Sequence, residues 1–208
     1  TGVESFSEGD TAQMNNYHGP KLRLSRRLGA PVSETAKHAE VIEKRGRPMS
    51  GGKGRRRQRS LYGRQLDEKQ KMNLYYNIGN KQLGRYLAIA KKNKASTTDV
   101  MMETVESRLD NVLRRLGWGR TIWQARQIVA HGHILVNGRR VDRPGYLVSP
   151  NDVIAPRESS KEFVKAAAGA TENTHVPGWL VVDPAKFEAQ VVRKPKVEDI
   201  QLPFDLDC

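Results

Sequence analysis

Apolar residues recur at helical spacing along much of the chain. Leu83, Tyr86, Leu87 and Ala90 stand at i, i+3, i+4 and i+7, predicting an amphipathic helix capped by Asn80, with Lys91 and Lys92 at the negative end of its dipole. Arg64 to Asn77 predicts a less regular helix with Asp67 and Glu68 in its first turn and Lys69 and Lys71 after them. Residues 61–98 therefore read as an antiparallel helical pair hinged at Gly79. Met102, Val105, Leu109, Val112, Leu113 and Leu116 predict one further helix, capped by Thr98 and closed by Gly117. Thr121-Ile122-Trp123-Gln124 has the form of a capping box, in which Thr121 accepts from the Gln124 N–H and Gln124 reaches back. The helix it opens ends at Gly132 and buries Ile122, Ala125, Ile128 and Val129. Ile134-Leu135-Val136 and Arg139-Arg140-Val141 flank Asn137-Gly138, the favoured dipeptide of a type I′ hairpin, and Pro150-Asn151-Asp152 turns into Val153-Ile154. The pattern as a whole is α+β: a helical subdomain, then two packed helices and a small antiparallel sheet.

Charge changes the picture. The 208 residues carry a formal net charge of +13, and nearly all the excess lies before residue 98, with 16 basic against 5 acidic side chains in residues 17–72. One half of the molecule is an anion binder. Lys21, Arg23, Arg26 and Arg27 alternate with leucines in a short arm that stops at Gly29. The densest stretch holds Arg45, Arg47, Lys53, Arg55, Arg56, Arg57 and Arg59 among glycines; alone it should not fold. Arginine forks match phosphate oxygens and glycine lets a nucleic-acid strand approach, so this stretch is expected to order on RNA or DNA, the bland reading being a solvated linker or targeting signal. Hydrophobic residues make up 37% of the chain, and no run approaches the ~20 needed to span a bilayer, so no membrane partner is expected.

The compact module from Asp99 to Arg157 offers the sharpest candidate surface. Its second helix presents Gln124, Gln127 and His131 opposite the apolar face, with Arg120 and Thr121 at its start, Arg126 flanking and His133 just beyond its end. Asn137, Arg139 and Arg140 lie on the hairpin, and together these groups suggest a cleft for a sugar–phosphate backbone. Arg64, Lys69, Lys71 and Arg85 of the helical pair, and Arg114 and Arg115 of the first module helix, join the candidate RNA-binding set.

An enzyme needs a convergent polar constellation, and none stands out. His18, His38, His131, His133 and His175 lack metal-ligand spacing with nearby carboxylates, and His131-x-His133 suits a structural or RNA-stacking role better than a ligand pair. Asp110 falls inside an apolar-faced helix, which favours a salt bridge or packing. Gly51-Gly52-Lys53-Gly54 is embedded in arginines with no strand before it, so it is no phosphate loop. Cys208 is the single cysteine, so neither an intrachain disulfide nor a cysteine zinc cage is expected; no metal and no cofactor are expected either.

Arg108-Leu109-Asp110-Asn111-Val112, Arg115-Leu116-Gly117, Ala125-Arg126-Gln127-Ile128-Val129 and His131-Gly132-His133-Ile134-Leu135-Val136-Asn137-Gly138-Arg139-Arg140-Val141 resemble the RNA-binding module of the small-subunit ribosomal protein four family. The same module occurs in pseudouridine synthases and some aminoacyl-tRNA synthetases, so the flanks decide. Tyr17-x-Gly19-Pro20-Lys21-Leu22-Arg23-Leu24-Ser25-Arg26-Arg27 and Tyr62-Gly63-x-Gln65-Leu66-x-Glu68-Lys69-Gln70-Lys71 resemble the start of the bacterial and organellar type. Trp179-Leu180-x-Val182-Asp183 and Arg193-Lys194-Pro195 resemble its C-terminal return segment. The family's final apolar strand has no counterpart before Cys208, and the Arg45–Arg59 stretch stands where some members carry four zinc-binding cysteines.

The resemblance implies a structural, non-enzymatic constituent of the small ribosomal subunit that binds its rRNA and supports assembly and translation. Neighbouring ribosomal proteins and mRNA on its way into the subunit would be further partners. A pseudouridine synthase-like enzyme carrying the module is the alternative, although residues 158–208 are too few for a catalytic domain. The expected organisation is an acidic extension over 1–16, a basic arm and helical subdomain over 17–98, the RNA-binding module over 99–157 and a segment packing back on the core over 158–208. The acidic start without Met suits a trimmed precursor, so a mitochondrial or chloroplast ribosome is favoured, with the bacterial cytoplasm as the alternative.

Overall fold

The structure, a computed structural model, describes residues 20–33, 35–45, 60–93, 96–169, 176–200 and 202. The acidic extension and the Gly/Arg stretch after Arg45 lie outside the described residues. The chain divides into two compact units, residues 1–85 with 202–208, and residues 86–201.

In the first unit, helix α1 (Lys21–Leu28) begins behind Pro20 and stops at Gly29, whose φ of 68° is the left-handed conformation that glycine adopts without strain. The Gly29 N–H donates to the Ser25 carbonyl at 2.8 Å. Helix α2 (Ala36–Arg45) packs on α1. Buried Ser25 ties the two together: its Oγ accepts from the Val32 N–H at 3.1 Å and lies 2.7 Å from His38 Nδ1. Burial lowers the His38 pKa, and Lys21 and Lys37 reinforce the shift.

Helix α3 (Leu61–Tyr75) starts three residues ahead of the expected position, because Ser60 Oγ accepts from the Gly63 N–H at 3.2 Å. Asp67 and Glu68 consequently fall in its second turn. Buried Leu74, Tyr75, Tyr76 and Ile78 surround the turn at its end, where Asn77 has a φ of 51°. Helix α4 (Asn80–Lys91) runs from the first unit into the second. Asn80 does not cap it from outside; it is the first helical residue, and its Oδ1 accepts from Asn73 Nδ2. Leu83, Tyr86 and Ala90 are buried as expected, whereas Leu87 is exposed.

In the second unit the single helix expected from Thr98 to Gly117 is two: α5 (Thr97–Glu106), beginning behind Ser96, and α6 (Leu109–Arg115). Arg108 between them is extended, with ψ at 138°. The break is fixed from outside the helix. The Leu109 N–H donates to the Tyr146 carbonyl at 2.8 Å, the Asp110 N–H to that of Pro144 at 3.1 Å, and Arg108 bridges to Leu147. Helix α7 (Ile122–Ala130) follows, then β1 (Ile134–Val136), β2 (Arg139–Val141), β3 (Val153–Pro156), a 3-10 turn at Glu158–Ser160, α8 (Lys161–Gly169), β4 (Leu180–Asp183) and β5 (Glu188–Val191).

The strands form one antiparallel sheet in the order β2-β1-β3-β5-β4. Val136 pairs with Arg139 across Asn137-Gly138, whose φ angles of 51° and 76° suit a type I′ turn. Leu109, Val112, Leu113, Trp118, Ala125, Ile128 and Val129 close the core from the helical side. Trp179, Leu180, Ala189 and Val191 close it from the last two strands, so the return segment completes the sheet. Trp118 also stacks on Phe187, with ring centroids 4.9 Å apart. Among the described residues no helix is long and apolar enough to cross a membrane.

Candidate nucleic-acid interface

Helix α7 is set by its ends. Thr121 Oγ accepts from the Gln124 N–H at 3.3 Å, as the capping pattern requires. The Gln124 side chain accepts from the Arg120 N–H at 2.9 Å, one residue before the donor expected for a capping box. Gly119 lies flat against the helix, since a Cβ there would stand 2.9 Å from the Ala125 backbone N and Cα. Ile122, Ala125, Ile128 and Val129 face the core; Gln127 and His131 are exposed, and Gln124 and Arg126 are half-buried.

The hairpin brings Arg140 back to the end of this helix. Gly132 has a φ of 71°, and a Cβ on it would lie only 2.2 Å from Arg140 Nε. The Arg140 guanidinium therefore lies across the turn between His131 and His133, near the carbonyl end of the helix dipole, where a cation is favoured. Arg139 and Arg140 are both exposed. The His131 and His133 rings lie 5.9 Å apart, and His133 Nδ1 is 2.8 Å from Ser160 Oγ.

Behind the surface is a layer of matched charge. Asp110, fully buried, accepts from Arg108 Nε at 3.0 Å and Nη2 at 2.6 Å, while Arg108 Nη1 donates to the Tyr86 hydroxyl at 2.9 Å. Burial opposes the Arg108 charge, but hydrogen bonding and attraction from Asp110 and Tyr86 outweigh it and hold its pKa above the ordinary value. Arg126 reaches the same carboxylate at 3.5 Å from the half-exposed side. Asp110 thus has the salt-bridge role expected of it.

Three members of the candidate set are structural. Arg114 is 5% exposed and so withdrawn from the surface. Arg115 gives its Nε and Nη2 to Glu106 at 3.1 and 2.7 Å, neutralising a carboxylate that is 1% exposed. Asn137 donates to Asp152 at 2.8 Å and accepts from the Val153 N–H at 2.9 Å, so both ends of its amide lock the hairpin to β3.

In the first unit, contact between α1 and α3 brings the arm and α3 cations to one body. Arg23, Arg27, Arg64 and Lys69 are exposed; Lys21 and Arg26 are half-buried, and burial lowers the Lys21 pKa. Arg27 also donates to Gln70 at 2.9 Å. Lys71 is mostly buried and paired with Glu68 at 2.5 Å, which removes it from the open surface. Arg85 is exposed, 3.5 Å from Gln82 Oε1. The side chain of Arg45, together with Arg47, Lys53, Arg55, Arg56, Arg57 and Arg59, lies outside the described residues. Two groups beside the histidines, Arg157 and Phe163, were not singled out by sequence; Phe163 falls one position off the buried Val164–Ala167 stripe of α8, where periodicity assigns no role. Among the described residues no group of three or more His, Cys, Asp or Glu side chains could hold a metal ion.

Both parts of this α+β architecture match family models, and the matches together define the class, a ribosomal protein and not an enzyme. Residues 107–154 match the S4 domain, and residues 16–106 match the ribosomal protein S4/S9 N-terminal domain. The chain is 40% identical over 201 residues to small ribosomal subunit protein uS4 of Aquifex aeolicus, covering 93% of this chain and 95% of that one. It is 41% identical over 194 residues to uS4 of Thermobifida fusca, covering 91% and 94%, and equally so to that of Geobacillus thermodenitrificans, covering 93% and 95%. The chain belongs to the uS4 family of small ribosomal subunit proteins, and the modification-enzyme reading falls away.

Proposed function

We propose that this protein holds small-subunit rRNA through two cationic surfaces and thereby supports subunit assembly and translation. The first surface is Lys21, Arg23, Arg26, Arg27, Arg64, Lys69 and Arg85, and the Gly/Arg stretch supplies further cations to the RNA. The second is Arg120, Thr121, Gln124, Arg126, Gln127, His131, His133, Arg139 and Arg140. The observation that carries this reading is internal neutralisation: Arg108 and Arg115 are spent on buried Asp110 and Glu106, leaving Arg120, Arg139 and Arg140 facing solvent beside the amides of α7. Such a surface suits phosphate contacts that fix register and orientation.

Neighbouring ribosomal proteins and mRNA on its way into the subunit are the further partners of this reading. The division into an extension over 1–16, a basic arm and helical subdomain over 17–98, a module over 99–157 and a packing segment over 158–208 goes with it. The relatives named above are bacterial, which supports a bacterial-type ribosome, whether in an organelle, the compartment favoured from sequence, or in a bacterium.

Filter binding to a small-subunit rRNA fragment tests the module. Arg126→Ala and Arg139→Ala should each weaken binding by about 1–3 kcal/mol if they grip a specific RNA geometry. Unchanged affinity for both would remove α7 and the hairpin from the interface. Co-sedimentation with small subunits in fractionated cells tests the ribosomal assignment, and migration apart from them would sink it.

A further inference from the structure

We propose that His131, His133 and Phe163 form a stacking platform for an unpaired RNA base, with Arg140 and Arg157 beside it to take the adjoining phosphates. The inference rests on the RNA-binding reading above and adds to it a ligand class and a place.

The three rings come from three elements: the end of α7, the residue before β1, and α8. They form one run of mutually tilted rings, His133 lying 5.9 Å from His131 at 54° and 5.3 Å from Phe163 at 48°, so the flat face offered to a base is the half-exposed Phe163 ring. The run is fixed at its centre, where Ser160 Oγ stands 2.8 Å from His133 Nδ1, and it turns at Gly132. Phe163 is 52% exposed. In this unit Tyr86, Trp118 and Trp179 are buried, while Tyr146 is 38% exposed. A half-wet phenyl against the His133 imidazole is unrewarded in the isolated chain and becomes useful when a flat partner covers it.

The surroundings select the partner. The Arg140 guanidinium lies over Gly132, the residue that separates the two histidines in the chain. Arg157 is exposed, and its backbone N–H donates to the His133 carbonyl at 2.7 Å, so it leaves the sheet beside that ring. Glu158 and Glu162, close to Phe163 in the chain, are exposed, Glu158 facing Lys161 at 3.7 Å, and they disfavour a bare anion on the rings themselves. A neutral π-face over the rings and phosphates over the arginines match an unpaired nucleotide. A paired A-form helix keeps its base faces inside and cannot use such a platform.

The test uses the full chain and two probes, a short single-stranded oligoadenylate and a blunt RNA duplex of the same length. Phe163→Leu keeps apolar bulk and loses the ring; Phe163→Trp keeps a ring; far-UV circular dichroism checks that both fold. Phe163→Leu should bind oligoadenylate roughly tenfold more weakly, leave duplex affinity unchanged and keep the salt slope, while Phe163→Trp retains wild-type affinity. Arg139→Ala should weaken both probes and reduce the salt slope by about one. If Arg139→Ala weakens both probes while Phe163→Leu binds as wild type, or if Phe163→Leu weakens both alike, the platform is overturned and the RNA reading stands. Should the wild type ignore both probes, the RNA reading fails and takes the platform with it.

Discussion

Asp110 and Glu106 are buried carboxylates, and each is solvated by an arginine fork. Removing one partner of such a pair leaves the other charge buried and uncompensated, a loss of about 3–5 kcal/mol. Asp110→Ala and Arg115→Ala should each lower the unfolding free energy of the second unit by that much, read from the shift of its urea midpoint. Exposed Arg139→Ala should shift stability by less than about 0.5 kcal/mol. The contrast separates arginines that hold the fold from those available to RNA. It also locates the limit of sequence reading at this scale. Arg114, Arg115 and Arg139 look alike in the chain, and only the fold reveals that buried Glu106 lies within reach of Arg115. Asp110 could be assigned a structural role from sequence because its neighbours form an apolar stripe.

Elements with local punctuation were legible. The Thr121 cap, the Asn137-Gly138 turn and the glycine after α1 each act through neighbours a few residues away, and all three are found. The α5–α6 break was not legible, because it depends on carbonyls of Pro144 and Tyr146 more than thirty residues downstream. Apolar spacing runs through Ser107 and Arg108 without interruption. Strands β4 and β5 were likewise seen only as a segment resembling the family; they pair with each other, and β5 joins the sheet through β3, more than thirty residues upstream.

Two predictions belong to elements. Gly119→Ala would drive a methyl into the Ala125 backbone and should cost about 1–3 kcal/mol, read as a drop in the melting temperature of the second unit. The α1–α2 tie through Ser25 and His38 should depend on pH. His38 protonates below its ordinary 6.5 in the folded chain, so as pH falls the unfolded chain takes the proton first. The tie contributes fully above about 6.5 and is lost as pH falls through the folded value. Hydrogen exchange at the Val32 amide should quicken relative to its intrinsic rate as pH falls below about 6.5, and His38→Gln should flatten that dependence.

At the scale of the molecule, an excess of thirteen positive charges makes affinity for RNA a matter of counterion release. Log affinity should fall linearly with log salt, at a slope near minus the number of phosphates engaged, roughly six to ten. A slope near zero would mean that base or protein contacts carry the binding. Charge and its uneven distribution were fully legible in the sequence, and so was the α+β class.

All three tryptophans, Trp118, Trp123 and Trp179, belong to the second unit. Indole emission during unfolding therefore reports that unit alone, while circular dichroism at helix wavelengths sums over both. The gap between the two transition curves is a direct gauge of whether the halves melt together or in turn.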